Sequence, residues 1–293
     1  MKSYIALLKR EYLEHRGVFV VTPAIVTLFV IVALGLALFA NQVEMPSEVR
    51  ISSDNLYQAI YATAASIWIG YLNLALFFYF ADSFSADRRN NALLFWKSMP
   101  QSDLKVLGTK MLAGITIFPA AIIVFMLISG VVGYGATIAA ALRLPVLATP
   151  GLGEAVVAFG QISLAGIVGA LVWVLWYAPF FGWVAILSTL FGRWSIALAL
   201  LVPAMLSLLE RATNIANVNA PHYFSRFMEW RLQAPPTVGD FESMAQFENG
   251  FSAIDSIAVM VTRTDWPALV AGLAFAALMT WIASEYRRRR IEA

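Results

Sequence analysis

Residues 82–110 read DSFSADRRNNALLFWKSMPQSDLKVLGTK and lie between two long apolar runs. The stretch is polar and basic at both ends, yet Leu93, Leu94, Phe95 and Trp96 sit side by side in its middle. A loop facing only water rarely keeps four large apolar residues in a row, so something must cover them. Asp87 to Lys97 holds good helix formers at most positions, and Pro100 stops that helix. Ser102-Asp103 then offers a cap for a new helix leading into the next apolar run. Two readings follow from the residues. In one, a short helix at the cytoplasmic face offers an apolar knob, ringed by Arg88, Arg89 and Lys97, to a partner. In the other, the helix rests on the lipid surface, held by Trp96 and the same cations.

Outside this stretch the chain is dominated by apolar residues. Of 293 residues, 60% are hydrophobic and 13% charged, and the mean hydropathy is +0.73. Soluble domains are nearer half apolar and a quarter charged, so the composition is that of a polytopic, all-α membrane protein. The net charge of +2 gives no footprint for nucleic acid, because the cations cluster at the ends of apolar runs. Cysteine is absent, which removes disulfides and thiolate chemistry and fits a bacterial inner membrane.

In chain order, residues 1–17 carry Lys2, Lys9, Arg10 and Arg16 beside Ile5, Leu8 and Tyr12 at helical spacing. They are expected to form an interfacial helix; the plainer alternative is a basic flank that only sets orientation. The run Val18 to Ala40 is too long for the apolar core of a signal peptide, so it is expected to remain as the first span. Tyr57 to Ala81 makes the second span and Met111 to Ile138 the third, with Pro119 expected to kink it. Ala155 to Gly192 has no charged residue in 38 positions. It fits one long or kinked helix, or a hairpin turning near Ala178-Pro179.

Charge favours the first without excluding the second. With one helix there, 14 of the 20 Lys and Arg fall on the cytoplasmic side, including Arg287 to Arg290. A hairpin would put Arg193 and that final run outside, against the positive-inside rule. Ser195 to Leu209 is a short fifth run before Glu210-Arg211, and Trp266 to Ala283 is the sixth. Six spans with both termini cytoplasmic follow. Glu210 inside the bilayer would mark a pathway; at the outer headgroups it is an ordinary surface charge. Residues 210–266 form an external region whose His222, Tyr223, Phe224, Phe227 and Trp230 either anchor to the outer interface or touch a substrate.

The catalytic inventory is thin. Gly108-Thr109-Lys110 lacks the rest of a GxxxxGK[ST] phosphate loop. His15 and His222 are far apart in sequence, and no Ser-His-Asp set or metal cluster can be built. Catalytic and cofactor residues are therefore assigned to none, and the chain is not expected to be an enzyme. Buried acids of the kind a proton-coupled secondary transporter needs are missing from the span centres, and no internal repeat is evident.

The run DRRNNALLFWKSMPQSD resembles the first cytoplasmic loop of permease subunits of type-2 ATP-binding cassette exporters. There, an acidic residue and an Arg pair precede an apolar stretch ending in Phe-Trp-Lys/Arg-Ser, then a Pro, then Ser-Asp. The match is specific over Asp82 to Lys110, with weaker echoes over Trp176 to Arg193. The resemblance implies a single transmembrane domain over 1–293, with six spans, an N-terminal elbow helix and a short re-entrant segment near the fifth span. It also implies a coupling loop at 82–105 that docks on separate cassette-type ATPase subunits, and a second permease copy, identical or related, completing the pathway in membrane lipid. On that basis Arg88, Arg89, Leu94, Phe95, Trp96 and Lys97 are the expected coupling residues. Two alternatives remain at this level: a membrane scaffold or sensor that recruits a cytosolic partner with the same knob, and a secondary transporter.

Overall fold

The computed structural model of the chain describes residues 2–37, 53–89, 102–144, 147–149, 151–213, 222–233 and 253–292. Among them every regular element is helical. Helix α1 (Lys2–Arg16) passes through a π-helical turn, Gly17–Val21, into α2 (Thr22–Ala37). Then come α3 (Ser53–Arg89), α4 (Asp103–Ile115), α5 (Ile117–Arg143), α6 (Leu152–Phe191) and, after a 3-10 turn at Gly192–Trp194, α7 (Ser195–Thr213). The chain ends with α8 (Tyr223–Leu232), α9 (Ala253–Arg263) and α10 (Trp266–Glu292).

Five stretches are long and apolar enough to cross a membrane: Tyr4–Leu36, Asp54–Ala86, Asp103–Arg143, Leu152–Ala212 and Trp266–Arg289. They mark the chain as a membrane protein. The fourth, of 61 residues, contains both α6 and α7. The first takes in most of α1 as well as α2, and the N-terminal helix leads through the π turn into the first apolar helix. The wide-ring turn leaves carbonyls off the regular ladder. Tyr71 OH donates to Val18 O at 2.6 Å, and Gly17 O, which already accepts the Thr22 N–H, also accepts from the Thr22 hydroxyl at 3.1 Å.

Helix α6 is a single helix of 40 residues with Pro179 inside it, so the chain does not turn back at Ala178-Pro179. At 1.5 Å per residue it is about 60 Å long, roughly twice the hydrocarbon thickness. Its small residues Ala155, Ala158, Ala165, Gly166, Gly169 and Ala170 are buried and recur at helical spacing. Such a face lets neighbouring helices approach closely where lipid offers no hydrophobic drive. Helix α3 takes that place, with Tyr61 stacked on Phe159 at 5.5 Å and bonded to Ser163 Oγ at 2.7 Å. The other side of α3 meets α5, where Trp68 donates to Ser129 Oγ at 2.8 Å. Together α3 and α6 form the spine, and α5 and α10 pack against it.

Prolines and one glycine punctuate the bundle. Pro119 lacks the N–H that Ile115 O would accept, and the helix is interrupted just there, at Thr116, dividing α4 from α5. Gly192 ends α6 with φ +59°, a backbone state that side chains with a Cβ rarely adopt. From that turn α7 goes back along α6, anchored where Ser195 Oγ donates to Ala81 O at 3.1 Å.

Candidate functional site

Two places in the bundle hold polar chemistry in apolar surroundings. The first frames the stretch from which the sequence argument began. Arg88 and Arg89 close α3. Leu94, Phe95, Trp96 and Lys97 lie outside the described residues. On the far side, Ser102 caps α4 as its sequence suggests, its hydroxyl accepting from Lys105 N at 3.3 Å. The next residue, Asp103, pairs with Arg287 from the end of α10: Oδ1 is 3.0 Å from Nε, and the Arg287 side chain is 6% exposed.

Two turns further along α4, Lys110 is fully buried with its Nζ 3.1 Å from Glu11 Oε1 of α1. The Tyr79 hydroxyl of α3 donates to Glu11 Oε2 at 3.0 Å and lies 3.1 Å from Lys110 O. His15 stands edge-on to Tyr79 at 4.7 Å, and Phe19 stacks on Phe118 at 3.9 Å beneath. A buried charge pair persists only when hydrogen bonds satisfy the remaining lone pairs, and Tyr79 supplies one. Through these contacts the first turns of α4 are fixed to α1, α3 and α10 at once. Sequence reasoning counted Lys110 and Arg287 as orientation markers and passed over Glu11. Glu11 shares its helix with Glu14 and with Lys9, Arg10 and Arg16, so nothing in the sequence singled it out.

The second place lies between α6, α7, α8 and α10. Helix α8 folds back against the bundle. Its N-terminal N–H groups need acceptors, and its own cap residue, His222, makes no side-chain cap bond. Glu210 of α7 provides them, accepting from Phe224 N, Ser225 N and Ser225 Oγ, each at 2.8 Å. A carboxylate at a helix N-terminus is favoured by both hydrogen bonding and the helix dipole. Glu210 is thus half-buried and committed to holding α8 on α7.

At the other end of α8, Arg231 is 4% exposed. Its Nη2 donates to Trp176 O at 2.9 Å and Nη1 reaches Ala268 O at 3.4 Å. Trp176 O lies in the turn that Pro179 loosens, since Pro179 cannot donate back along α6. The guanidinium also lies over the Trp176 ring, 3.9 Å from its centroid. Trp176 Nε1 and Tyr177 OH return hydrogen bonds to Arg231 O and Leu232 O, closing the junction. Gly272 makes room for this junction: a Cβ there would displace Arg231 Nη2 and press on Pro179. Burial pushes the Arg231 pKa below the ordinary guanidinium value, and Asp265 opposes that shift. Among the described residues no carboxylate comes within ion-pair distance of Arg231.

A cavity of about 610 Å³ opens beside this junction, walled by Pro179, Trp183, Val202, Phe227 and Phe275 among other apolar side chains, with Arg231 as its one charged residue. A second, of about 550 Å³, shares Phe180, Trp183, Pro203 and Met228 with it and extends toward Phe77 and Trp173. Of the aromatic residues singled out in the sequence, Phe224, Phe227 and Trp230 line the first cavity, whereas Tyr223 is 76% exposed. No group of three metal-ligating side chains comes together among the described residues.

No family model matches the chain, and no curated protein and no solved structure matches it either.

Proposed function

We propose that this chain is the membrane-spanning permease subunit of an ATP-driven exporter of the type-2 cassette kind. Two copies, identical or related, form the pathway between them, and separate ATPase chains dock beneath on residues 82–105. Arg88, Arg89, Leu94, Phe95, Trp96 and Lys97 make that contact. Six spans, with α6 and α7 each crossing, place both termini in the cytoplasm of the cell whose inner membrane holds the protein. The same six-span arrangement keeps 14 of the 20 Lys and Arg inside.

The observation that carries this reading is the fastening of α4. A loop that receives a push must transmit it, and a floppy attachment would absorb the motion. Here the helix leaving the loop is tied to α10 by Asp103 and Arg287, and to α1 and α3 by Lys110, Glu11 and Tyr79. Closure of the ATPases on residues 90–101 therefore moves the inner ends of these helices as one body, a rigid-body rocking of the usual kind. A scaffold that merely recruited a partner would have no use for that stiffness.

Purification of the tagged chain from its native membrane tests the proposal. A chain carrying a GxxxxGK[ST] loop should co-purify in one-to-one ratio, and substrate should stimulate ATP hydrolysis by the pair in liposomes. Recovery of the chain with no such partner, after mild cross-linking, would remove the basis for it.

A further inference from the structure

We infer that the cavity between α6, α7, α8 and α10 binds one anionic membrane lipid per chain, its acyl portion along the apolar walls and its headgroup phosphate on Arg231. Three observations converge on this. Arg231 is 4% exposed, and its guanidinium meets two backbone carbonyls and the Trp176 ring, with no carboxylate in ion-pair contact among the described residues. Two of its five N–H groups are used in those bonds. Asp265 acts on Arg231 only from beyond ion-pair distance; a buried cation with no contacting counter-charge is costly, and a phosphate is the anion whose geometry suits the guanidinium fork.

The cavity beside it is the second observation. Its 610 Å³ falls inside the roughly 300–1,000 Å³ typical of ligand sites. Apart from Arg231 its walls are hydrocarbon, aromatic or glycine, so a hydrophilic anion would leave most of the space unmatched. The adjoining cavity shares four of its lining residues and supplies further length for a chain.

The third is location. Three of the four walls come from helices within the apolar stretches Leu152–Ala212 and Trp266–Arg289, where the available amphiphile is the bilayer itself. The fourth wall, α8, is held in place by Glu210 at one end and Arg231 at the other. A lipid seated there would bridge α8 to α10 and complete the electrostatics of the junction. The inference does not depend on the ATPase partnership and stands or falls separately from it.

Native mass spectrometry of the full chain in nonionic detergent tests it, with three probes: phosphatidylglycerol, phosphatidylcholine with the same acyl chains, and inorganic phosphate. One phosphatidylglycerol should bind per chain, about tenfold more tightly than phosphatidylcholine, and millimolar phosphate should not displace it. Arg231→Gln removes the charge while keeping a polar side chain, and should abolish the preference between the two lipids. Val202→Trp fills the cavity without touching Arg231, and should weaken both lipids; it keeps the test valid where Arg231→Gln unfolds. Equal binding of both lipids to the wild type, displacement by phosphate alone, or unchanged lipid binding by Val202→Trp would each overturn the inference.

Discussion

Arg287 Nε lies 3.0 Å from Asp103 Oδ1, so the end of the last helix is pinned to the first turn of α4, immediately after the stretch proposed to meet the ATPase. Arg287 is buried and Asp103 only partly so. Replacing Asp103 by Ala takes a carboxylate partner from a buried guanidinium, at a cost of about 1–3 kcal/mol. The exchange Asp103→Arg with Arg287→Asp should recover part of that loss. Thermal unfolding in detergent of the wild type, Asp103→Arg, Arg287→Asp and the double exchange measures the coupling as a double-mutant cycle. Additive effects would show that the pair does not hold the two helices together.

The Glu11–Lys110 pair is deeper, with side chains 4% and 0% exposed. Lys110→Met strands a carboxylate inside the protein and should destabilise by about 3–5 kcal/mol. Glu11→Gln combined with Lys110→Met removes both charges and should recover most of it, because the desolvation cost disappears together with the attraction. Equilibrium unfolding of the two variants decides. A double variant less stable than Lys110→Met alone would contradict this assignment.

Glu210 is expected to act on α8 and not on a cargo. Glu210→Ala removes three acceptor contacts, and the amides of Phe224 and Ser225 should exchange with deuterium about tenfold faster, equivalent to ~1.4 kcal/mol. Glu210→Gln retains one acceptor oxygen and should fall between wild type and Glu210→Ala, with transport nearly unchanged. A large loss of transport in Glu210→Gln at normal exchange rates would place Glu210 in a pathway instead.

The absence of cysteine makes the crossing pattern directly measurable. Single cysteines at Ser102 and Ser252 should react with an impermeant maleimide from opposite sides of the membrane. Labelling of both from outside intact cells would rule out six crossings with the termini inside.

Much of the helical plan is visible in the linear sequence because it follows from local rules. The uncharged run Ala155 to Gly192 corresponds to α6 within three residues at either end. Ser102 caps the helix it precedes, and Pro119 marks the break between α4 and α5. What was hidden depends on tertiary packing. Arg231 and Lys110 carry the same charge as any surface cation, and nothing in their neighbours reveals that Trp176 or Glu11 waits across the bundle. Helix α8 was hidden for a related reason. Its residues read as a polar external segment, and only the partners supplied by Glu210 and the Pro179 turn fold it back onto the apolar helices. The passage of α1 into α2 was legible in the cationic helical run that leads into the apolar one, whereas the π turn that joins them has no signal in the sequence.

The proposed role turns on Phe95, a large apolar residue flanked by cations. Burying such a side chain in a partner's cleft is worth roughly 2–3 kcal/mol, and Phe95→Glu both removes that gain and forces a charge into the cleft. The ATPase should then bind more weakly by on the order of 100-fold. The bundle itself should still insert, since its packing is made by α3, α5, α6 and α10. The decisive measurement is co-purification of the ATPase with wild-type and Phe95→Glu protein, together with substrate-stimulated ATP hydrolysis in liposomes. Loss of both in the variant, at normal expression and thermal stability, is the predicted result. A variant that keeps its partner and its coupled hydrolysis would show that residues 82–105 lie on the membrane surface and transmit nothing.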